Sequence, residues 1–473
     1  MLTQVPTLQE PATTNASLQI DTGLVRKYGG NGPRYTSYPT ADRFNESFDA
    51  AAYRHWLANR NVGGLSRPLG LYVHVPFCDT LCFYCACNKI ATKDKERATR
   101  YVDYLLKEID MVADAINGRE VFKMHWGGGT PTFLSEEDSA RLVEKMRSRF
   151  KFQKDGEYAI EIDPRRCPPE RIAFLAKLGF NRLSVGVQDF DEAVQKAVNR
   201  IQTVEQTKAV IDAGRANGFR SINMDLIFGL PKQTLEGFAA TLEHVIDCDP
   251  DRIALYSYAH LPSMFKPQRR IVEADLPSGE LKLQLMTLAI RRMEQAGYVY
   301  IGMDHFAKPT DELAIAQRQG RLTRDFQGYS AGGDCDIVGF GVSAIGKVGP
   351  SYVQNQKALD KYYQVLDEGG LPVLRGFQLD ADDLVRRAVI QALACQYAVA
   401  KESISLAYLI DFDEYFATEL GMLKPLVADG LVELDDEWIR VTDKGRLLVR
   451  AVCMVFDKYL RVVEKRAQYS RVM

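Results

Sequence analysis

Residues Leu71–Ile90 read LYVHVPFCDTLCFYCACNKI and place Cys78, Cys82, Cys85 and Cys87 within ten positions. The run Leu71-Tyr72-Val73-His74-Val75 is short, apolar and β-prone, so it predicts a buried strand ending just before the first cysteine. Thiolates leaving a strand end suit a soft metal centre in a βα loop. The first three cysteines, spaced C-x3-C-x2-C, are one ligand short of a structural zinc or a four-cysteine cluster. A [4Fe–4S] cluster with one iron open to another ligand fits them. Cys87 is a further candidate ligand, but its one-residue separation from Cys85 is expected to turn the two side chains in different directions. A structural zinc or a group of buried thiols is the plainer alternative, although the chain has no second C-x2-C half-site.

Downstream, Val102, Leu105, Leu106, Ile109 and Val112 recur at helical spacing within a helix predicted over 97–116. A strand over 121–125 leads into Gly127-Gly128-Gly129-Thr130-Pro131-Thr132. Successive glycines leave backbone N–H and C=O groups open to a ligand, here with the spacing of neither a dinucleotide fingerprint nor a P-loop. Alone, such a run is also an ordinary tight turn. Strands are then expected at 158–161, 182–188, 221–228 and 253–258. Helices are expected from Ser135 to Phe150 and at 169–178, 203–216, 234–245 and 280–296. Strands separated by amphipathic helices call for a parallel sheet with crossovers, an α/β fold. Cys78, Gly127, Glu161, Gln188, Asp225 and His260 all fall at predicted strand ends, which a partial or complete β/α barrel gathers on one face. A doubly wound sheet would mark its ligand edge in the same way.

The remainder divides by composition. Residues 1–20 read as a flexible leader, and 21–65 as an N-terminal arm around Gly32-Pro33-Arg34-Tyr35-Thr36-Ser37-Tyr38-Pro39. The catalytic domain is expected over 66–368, its later part a less regular series of aromatic and glycine-rich loops. Gly369-Gly370-Leu371-Pro372 marks a boundary to a C-terminal domain, 369–473. There, helices over 382–399 and 413–428, a hairpin at 431–434 and 438–441, and a last helix capped by Thr442 suggest a winged-helix-like layout.

With 60 Lys and Arg against 62 Asp and Glu, the formal charge of -2 gives no support for a nucleic-acid partner. No apolar run has transmembrane length and no apolar leader core is present, so a cytoplasmic chain without a membrane span is expected. Nine unevenly spaced cysteines, four of them together, resemble a reduced metal protein more than a disulfide framework.

C-x3-C-x2-C resembles the cluster motif of the radical S-adenosylmethionine enzymes. YVHVPFC with its C-x2-C-x-C-N continuation, GGGTPT and the GPRYTSYPTA arm together resemble the oxygen-independent coproporphyrinogen III oxidases, from about Leu24 to the C-terminus. The resemblance implies a radical S-adenosylmethionine barrel whose arm covers the active site. Cys78, Cys82 and Cys85 would hold three irons and S-adenosylmethionine the fourth. Tyr72, Gly128, Glu161, Gln188, Arg200 and Asp225 would contact S-adenosylmethionine, with Tyr72 and Glu161 counted among the catalytic residues. Tyr84, Gly129, Thr130, Ala259 and Ile345 match positions assigned to a second S-adenosylmethionine. The implied reaction converts two propionates of coproporphyrinogen III to vinyls, giving protoporphyrinogen IX and CO2 in haem biosynthesis. A reduced flavodoxin- or ferredoxin-like donor and a monomeric protein are also implied. Arg26, Lys27, Arg34 and Arg375 are candidate partners of the substrate carboxylates. A cluster-containing haem chaperone without decarboxylase activity is the alternative, and Cys87 with the long arm favours the oxidase branch.

Overall fold

The structure, a computed structural model, describes residues 18, 20–61 and 67–461. Most of the proposed leader lies outside these residues. Leu18, at its end, is buried and its N–H donates to the Glu294 carboxylate at 2.8 Å.

Six parallel strands form the centre: β1 (Leu69–Val75), β2 (Glu120–Gly128), β3 (Lys151–Ile162), β4 (Arg182–Gln188), β5 (Ser221–Phe228) and β6 (Arg252–Ser257). Helices Glu96–Ala115, Glu136–Arg149, Pro169–Lys177, Val204–Ala216 and Leu235–Asp247 make the crossovers, and Gly279–Gln295 follows β6. Side chains cap the crossover helices: Ser135 accepts from Asp138 N–H, and Thr203 closes a capping box with Gln206. Leu71, Val73 and Val75 of β1 are fully buried in the core. Tyr72 and His74 point to the opposite face, where the site lies, because strand side chains alternate.

Beyond β6 the sheet gains β7 (Val299–Gly302), β8 (His305–Ala307), β9 (Asp336–Phe340), β10 (Ile345–Val348), β11 (Ser351–Asn355) and β12 (Val373–Gln378). Their order is β12-β11-β10-β9-β1-β2-β3-β4-β5-β6-β8-β7. Strand β9 returns to pair parallel with β1, and the outer strands are antiparallel. The sheet therefore ends at two edges, and the partial form of the expected barrel is the one adopted. Strand β12 extends the main sheet past the boundary expected at Gly369. The C-terminal part follows with helices Ala381–Gln396, Lys401–Tyr408, Phe412–Tyr415 and Ala417–Ala428 around a three-stranded sheet of Ala398–Ala400, Val432–Leu434 and Trp438–Val441. The last predicted helix is shorter, Val449–Val455 after a 3-10 turn at Arg446–Leu448.

The arm packs into this assembly. Asn45 bridges to Gly376 of β12, Tyr35 Oη donates to Asp457 at 3.1 Å, and Tyr352 Oη donates to the Tyr38 carbonyl. Arg60, just after the arm helix Ala50–Asn59, meets Asp336 at the start of β9 at 3.0 Å, with both side chains 1% exposed. It also donates to the carbonyls of Arg67, Pro68, Asn117 and Gly118. Removing one partner of a buried ion pair strands the other charge, at a cost of about 3–5 kcal/mol. Arg60→Met is expected to lower unfolding stability by that amount in denaturant titrations, and a loss below about 1 kcal/mol would show that Asp336 finds other stabilisation.

Candidate active site at the strand ends

A cavity of about 160 Å³ opens where β1 to β5 end. Cys78, Cys82, Tyr84, Cys85, Cys87, Gly128, Gly129, Thr130, Glu161, Gln188, Arg200 and Asp225 all line it, so most residues singled out from sequence converge here. Among the described residues no group of three or more His, Cys, Asp and Glu side chains is arranged to hold a single metal ion. A [4Fe–4S] cluster makes a different demand, since each thiolate binds a different iron.

The cysteine loop is tied down at both ends and from outside. Phe77–Cys78 pairs with Ile90–Ala91, closing its base. Phe83 N–H donates to the Val198 carbonyl, and Asn199 Nδ2 to the Leu81 carbonyl. Gln268 Nε2 donates to both the Tyr84 and Ala259 carbonyls, at 3.0 and 3.2 Å. Ala259 thus braces the loop from behind and does not line the cavity.

Two of the three cysteine sulfurs have their own donors. Thr130 Oγ1 donates to Cys78 Sγ at 3.5 Å, and Arg165 and Arg200 each approach Cys82 Sγ at 3.6 Å. The neighbouring Cys87 thiol, with Lys89, draws the Cys85 thiol below the usual thiol range, whereas burial pushes Cys78 up to about 11. Three thiols, two of them with donors, beside a glycine turn, fit a site-differentiated [4Fe–4S] cluster. Hydrogen bonds to thiolates also tune such a cluster's potential.

The glycine turn is sewn to β1: Gly129 N–H donates to the Val75 carbonyl and Thr130 N–H to that of Phe77, both at 2.8 Å. Gly128 has φ of 109°, and a Cβ there would lie 2.5 Å from the His74 ring. A Cβ on Gly127 would lie 2.7 Å from Glu161 Oε1.

Glu161 accepts from Gly128 N–H at 3.2 Å and meets His125 Nε2 at 3.0 Å. Burial opposes its charge, but the His125 and Gly128 hydrogen bonds outweigh burial and hold it below the usual glutamate range. Tyr72 stands behind this pair and does not line the cavity. Its ring stacks on His125 and its hydroxyl meets His74 Nδ1 at 3.0 Å. His74 Nε2 faces the Asn88 carbonyl at 2.9 Å, which can only accept, so Nε2 carries the proton and Nδ1 accepts from Tyr72. Burial keeps this imidazole neutral by lowering its pKa.

Arg200 does not present a free fork to a ligand carboxylate. Its Nη1 lies 3.3 Å from Asp163, and its Nη2 donates to the Gly186 carbonyl. Arg165 holds the same Asp163 at 2.6 Å. Burial works against the Asp163 charge, but Arg200 and then Arg165 keep it low. Asp163 and Arg165 are carried on the turn after β3; Asp163 falls at the predicted strand end, whereas no motif in the sequence marked Arg165. Gln188 closes β4 with φ of 70° at a break in register with β5, a bulge that redirects the strand end. Asp225 accepts from Ser184 and Asn223 at 3.1 and 2.9 Å. Burial, then the Glu161 charge, raises it to about 6. Ile345, at the start of β10, packs with the arm's Phe44 and with Tyr352, outside this cavity. Of the basic candidates, Arg26 pairs with Glu280, Lys27 with Asp429 and Arg34 with Asp304, while Arg375 donates to Gln354.

Comparison with known proteins now decides the family. Residues 72–245 match the Radical SAM superfamily model and 379–448 the HemN C-terminal domain model. The Salmonella typhimurium oxygen-independent coproporphyrinogen III oxidase is 49% identical over 453 residues, covering 96% of this chain and 98% of that one. The Helicobacter pylori (strain 26695) protein of the same name is 43% identical over 448 residues, covering 94% and 98%. This chain belongs to the oxygen-independent coproporphyrinogen III oxidases. The solved structure of the Escherichia coli coproporphyrinogen III oxidase, described as a radical SAM enzyme, aligns with a TM-score of 0.89 at 47% identity, over 94% of this chain and 100% of that one. As a member of this family the chain is a radical S-adenosylmethionine oxidoreductase of porphyrin biosynthesis, working with a [4Fe–4S] cluster and S-adenosylmethionine.

Two tests address the cavity. Gly127→Ala is expected to displace the Glu161 carboxylate and weaken S-adenosylmethionine binding about tenfold or more in equilibrium titrations, the scale of a lost charged hydrogen bond. In the pH profile of kcat/KM for S-adenosylmethionine, protonation of Asp225 is expected to lower activity as pH falls through about 6. That acid limb should flatten in Asp225→Asn; an unaltered limb would assign it to another group.

Proposed function

We propose that the cavity residues divide the catalytic work as follows. Cys78, Cys82 and Cys85 bind three irons, and the amino and carboxylate groups of S-adenosylmethionine complete the fourth. When bound, the cluster and S-adenosylmethionine supply the 5′-deoxyadenosyl radical that removes hydrogen from the substrate's propionate β-carbon. The Gly127–Gly129 backbone and Glu161 receive the amino-acid end of S-adenosylmethionine. Glu161 is already ionised and oriented by His125, so it can accept from an ammonium without rearrangement. Asp225, Ser184 and Gln188 line the neighbouring wall and suit the hydroxyls of a ribose.

Tyr72 acts as a positioning residue. It fixes the His125 ring that fixes Glu161, and it joins that pair through His74 to Asn88 of the cysteine loop. Arg165 and Arg200 place positive charge beside Cys82, where it stabilises thiolate and cluster charge. Cys87 is not a fourth iron ligand. Tyr84, Gly129 and Thr130 line the cavity and suit a second S-adenosylmethionine. Ala259 and Ile345 reach such a ligand only if the loop and the β10 edge move.

The substrate is coproporphyrinogen III, and two rounds of oxidative decarboxylation give protoporphyrinogen IX. The arm, threaded between β12 and the C-terminal helices, forms part of the cover over this chemistry. A flavodoxin- or ferredoxin-like protein delivers the electron to a monomeric enzyme in the cytoplasm. The observation that carries the reading is the convergence of three thiols, the glycine turn and Glu161 on one cavity.

Anaerobic reconstitution with reductant, S-adenosylmethionine and coproporphyrinogen III is expected to give protoporphyrinogen IX and 5′-deoxyadenosine, and Cys78→Ala neither. A reducible cluster that cleaves S-adenosylmethionine but never decarboxylates coproporphyrinogen III would instead favour the haem-chaperone reading.

A further inference from the structure

A second cavity, about 300 Å³, lies in the seam where the arm, strand β10, the hairpin around Phe326 and the helix Ala381–Gln396 meet. Its charged lining is unevenly matched. Asp325 is paired with Lys123 at 2.9 Å, and Asp334 with Lys347. Arg324 and Arg387 line the same cavity, yet among the described residues neither has a carboxylate within ion-pair distance. Arg324 is only 5% exposed. The Nη1 groups of both arginines are buried without a hydrogen-bond partner. A buried guanidinium N–H left unmade is costly, and such exceptions point to a missing acceptor. Two guanidiniums around one small cavity select an anion with planar, paired oxygens.

One strand ties the seam to the glycine turn. Lys123, which holds Asp325, lies on β2 two residues before His125 and on the same face, four residues before Gly127. At about 3.3 Å per strand residue, Lys123 stands roughly 13 Å from the glycine turn, a span suited to a tetrapyrrole with an extended carboxylate arm. The Arg34 guanidinium lies 5.7 Å from the centre of the Tyr256 ring. Tyr256 feels the charge of Asp225 from the first cavity and of Arg324 from the seam. Arg324 Nε donates to the Arg34 carbonyl, and Thr36 lines the seam, so the GPRYTSYP segment forms one wall.

We propose that the seam cavity is a carboxylate-binding site, in which Arg324 and Arg387 hold a propionate of coproporphyrinogen III that is not decarboxylated. The proposal rests on the substrate named above. It gives the arm a second task, completing the pocket for a remote carboxylate, and makes Arg324 and Arg387 determinants of substrate orientation.

The test compares wild type, Arg324→Gln, Arg387→Gln and Arg387→Lys as full-length, cluster-loaded proteins. Binding of coproporphyrin III, the fluorescent oxidised form, is read by anisotropy, and coproporphyrinogen III turnover by steady-state kinetics. Each Gln variant is expected to raise Kd and KM by about tenfold or more, with the loss falling mainly on KM and not kcat, and Arg387→Lys to recover most of it. Circular dichroism and the cluster absorbance spectrum report folding. If Arg324→Gln fails to fold, the half-buried Arg387 decides. An unchanged Kd and KM in folded Arg387→Gln overturns the proposal. So does inorganic phosphate that raises the melting temperature of wild type but not of Arg387→Gln while porphyrin affinity stays the same in both, since the site would then serve a free small anion. If wild type binds the porphyrin but never turns over coproporphyrinogen III, the functional reading fails, and the anisotropy comparison still judges the site.

Discussion

Everything at the strand ends depends on stabilising several thiolates in a half-buried cavity. Negative charge out of water must be met by charge or by hydrogen-bond donors. The chain meets it locally: Thr130 for Cys78, Arg165 and Arg200 for Cys82, and the Lys89 charge beside Cys85. Asp163 then sits between the two arginines and prevents them from repelling one another. The loop, the glycine turn and the end of β4 are held where they are because these donors come from four different segments. Arg165 follows β3 and Arg200 follows β4, so the parallel sheet is what brings them to one sulfur.

The same economy explains the second layer. Glu161 cannot serve as an acceptor unless its orientation is fixed, and His125, two residues before Gly127, fixes it. Tyr72 holds His125 by stacking and reaches His74, whose other nitrogen meets the cysteine loop. One hydrogen-bonded chain therefore links the cysteine loop to the glycine turn from behind the cavity. A defect at Tyr72 would be felt at both without touching either ligand.

The parallel core was legible in the sequence because its strands announce themselves locally. β4 and β5 begin and end where their apolar alternation does, Arg182–Gln188 and Ser221–Phe228. The strand-end polar set was legible for the same reason. What depended on long-range pairing was not. Nothing local shows that Asp336–Phe340 returns to lie beside β1, or that Val373–Gln378 belongs to the sheet and not to the next domain. Lys401–Tyr408 carries too few periodic apolar residues to read as a helix. Arg200 was found as a candidate, but its partners Asp163 and Cys82 lie far away in sequence, so its orientation was hidden. Ile345 and Ala259 were placed by resemblance alone, and the fold puts them outside the cavity and behind the loop.

The central claim is that three thiolates hold the cluster while the fourth cysteine binds no iron. Mössbauer spectroscopy of the 57Fe-reconstituted protein tests it most directly. The account predicts three irons of one kind and one distinct iron, whose isomer shift alone moves when S-adenosylmethionine is added, with the same pattern in Cys87→Ser. Four equivalent irons unaffected by S-adenosylmethionine, or a fourth site that changes character in Cys87→Ser before S-adenosylmethionine is present, would contradict it.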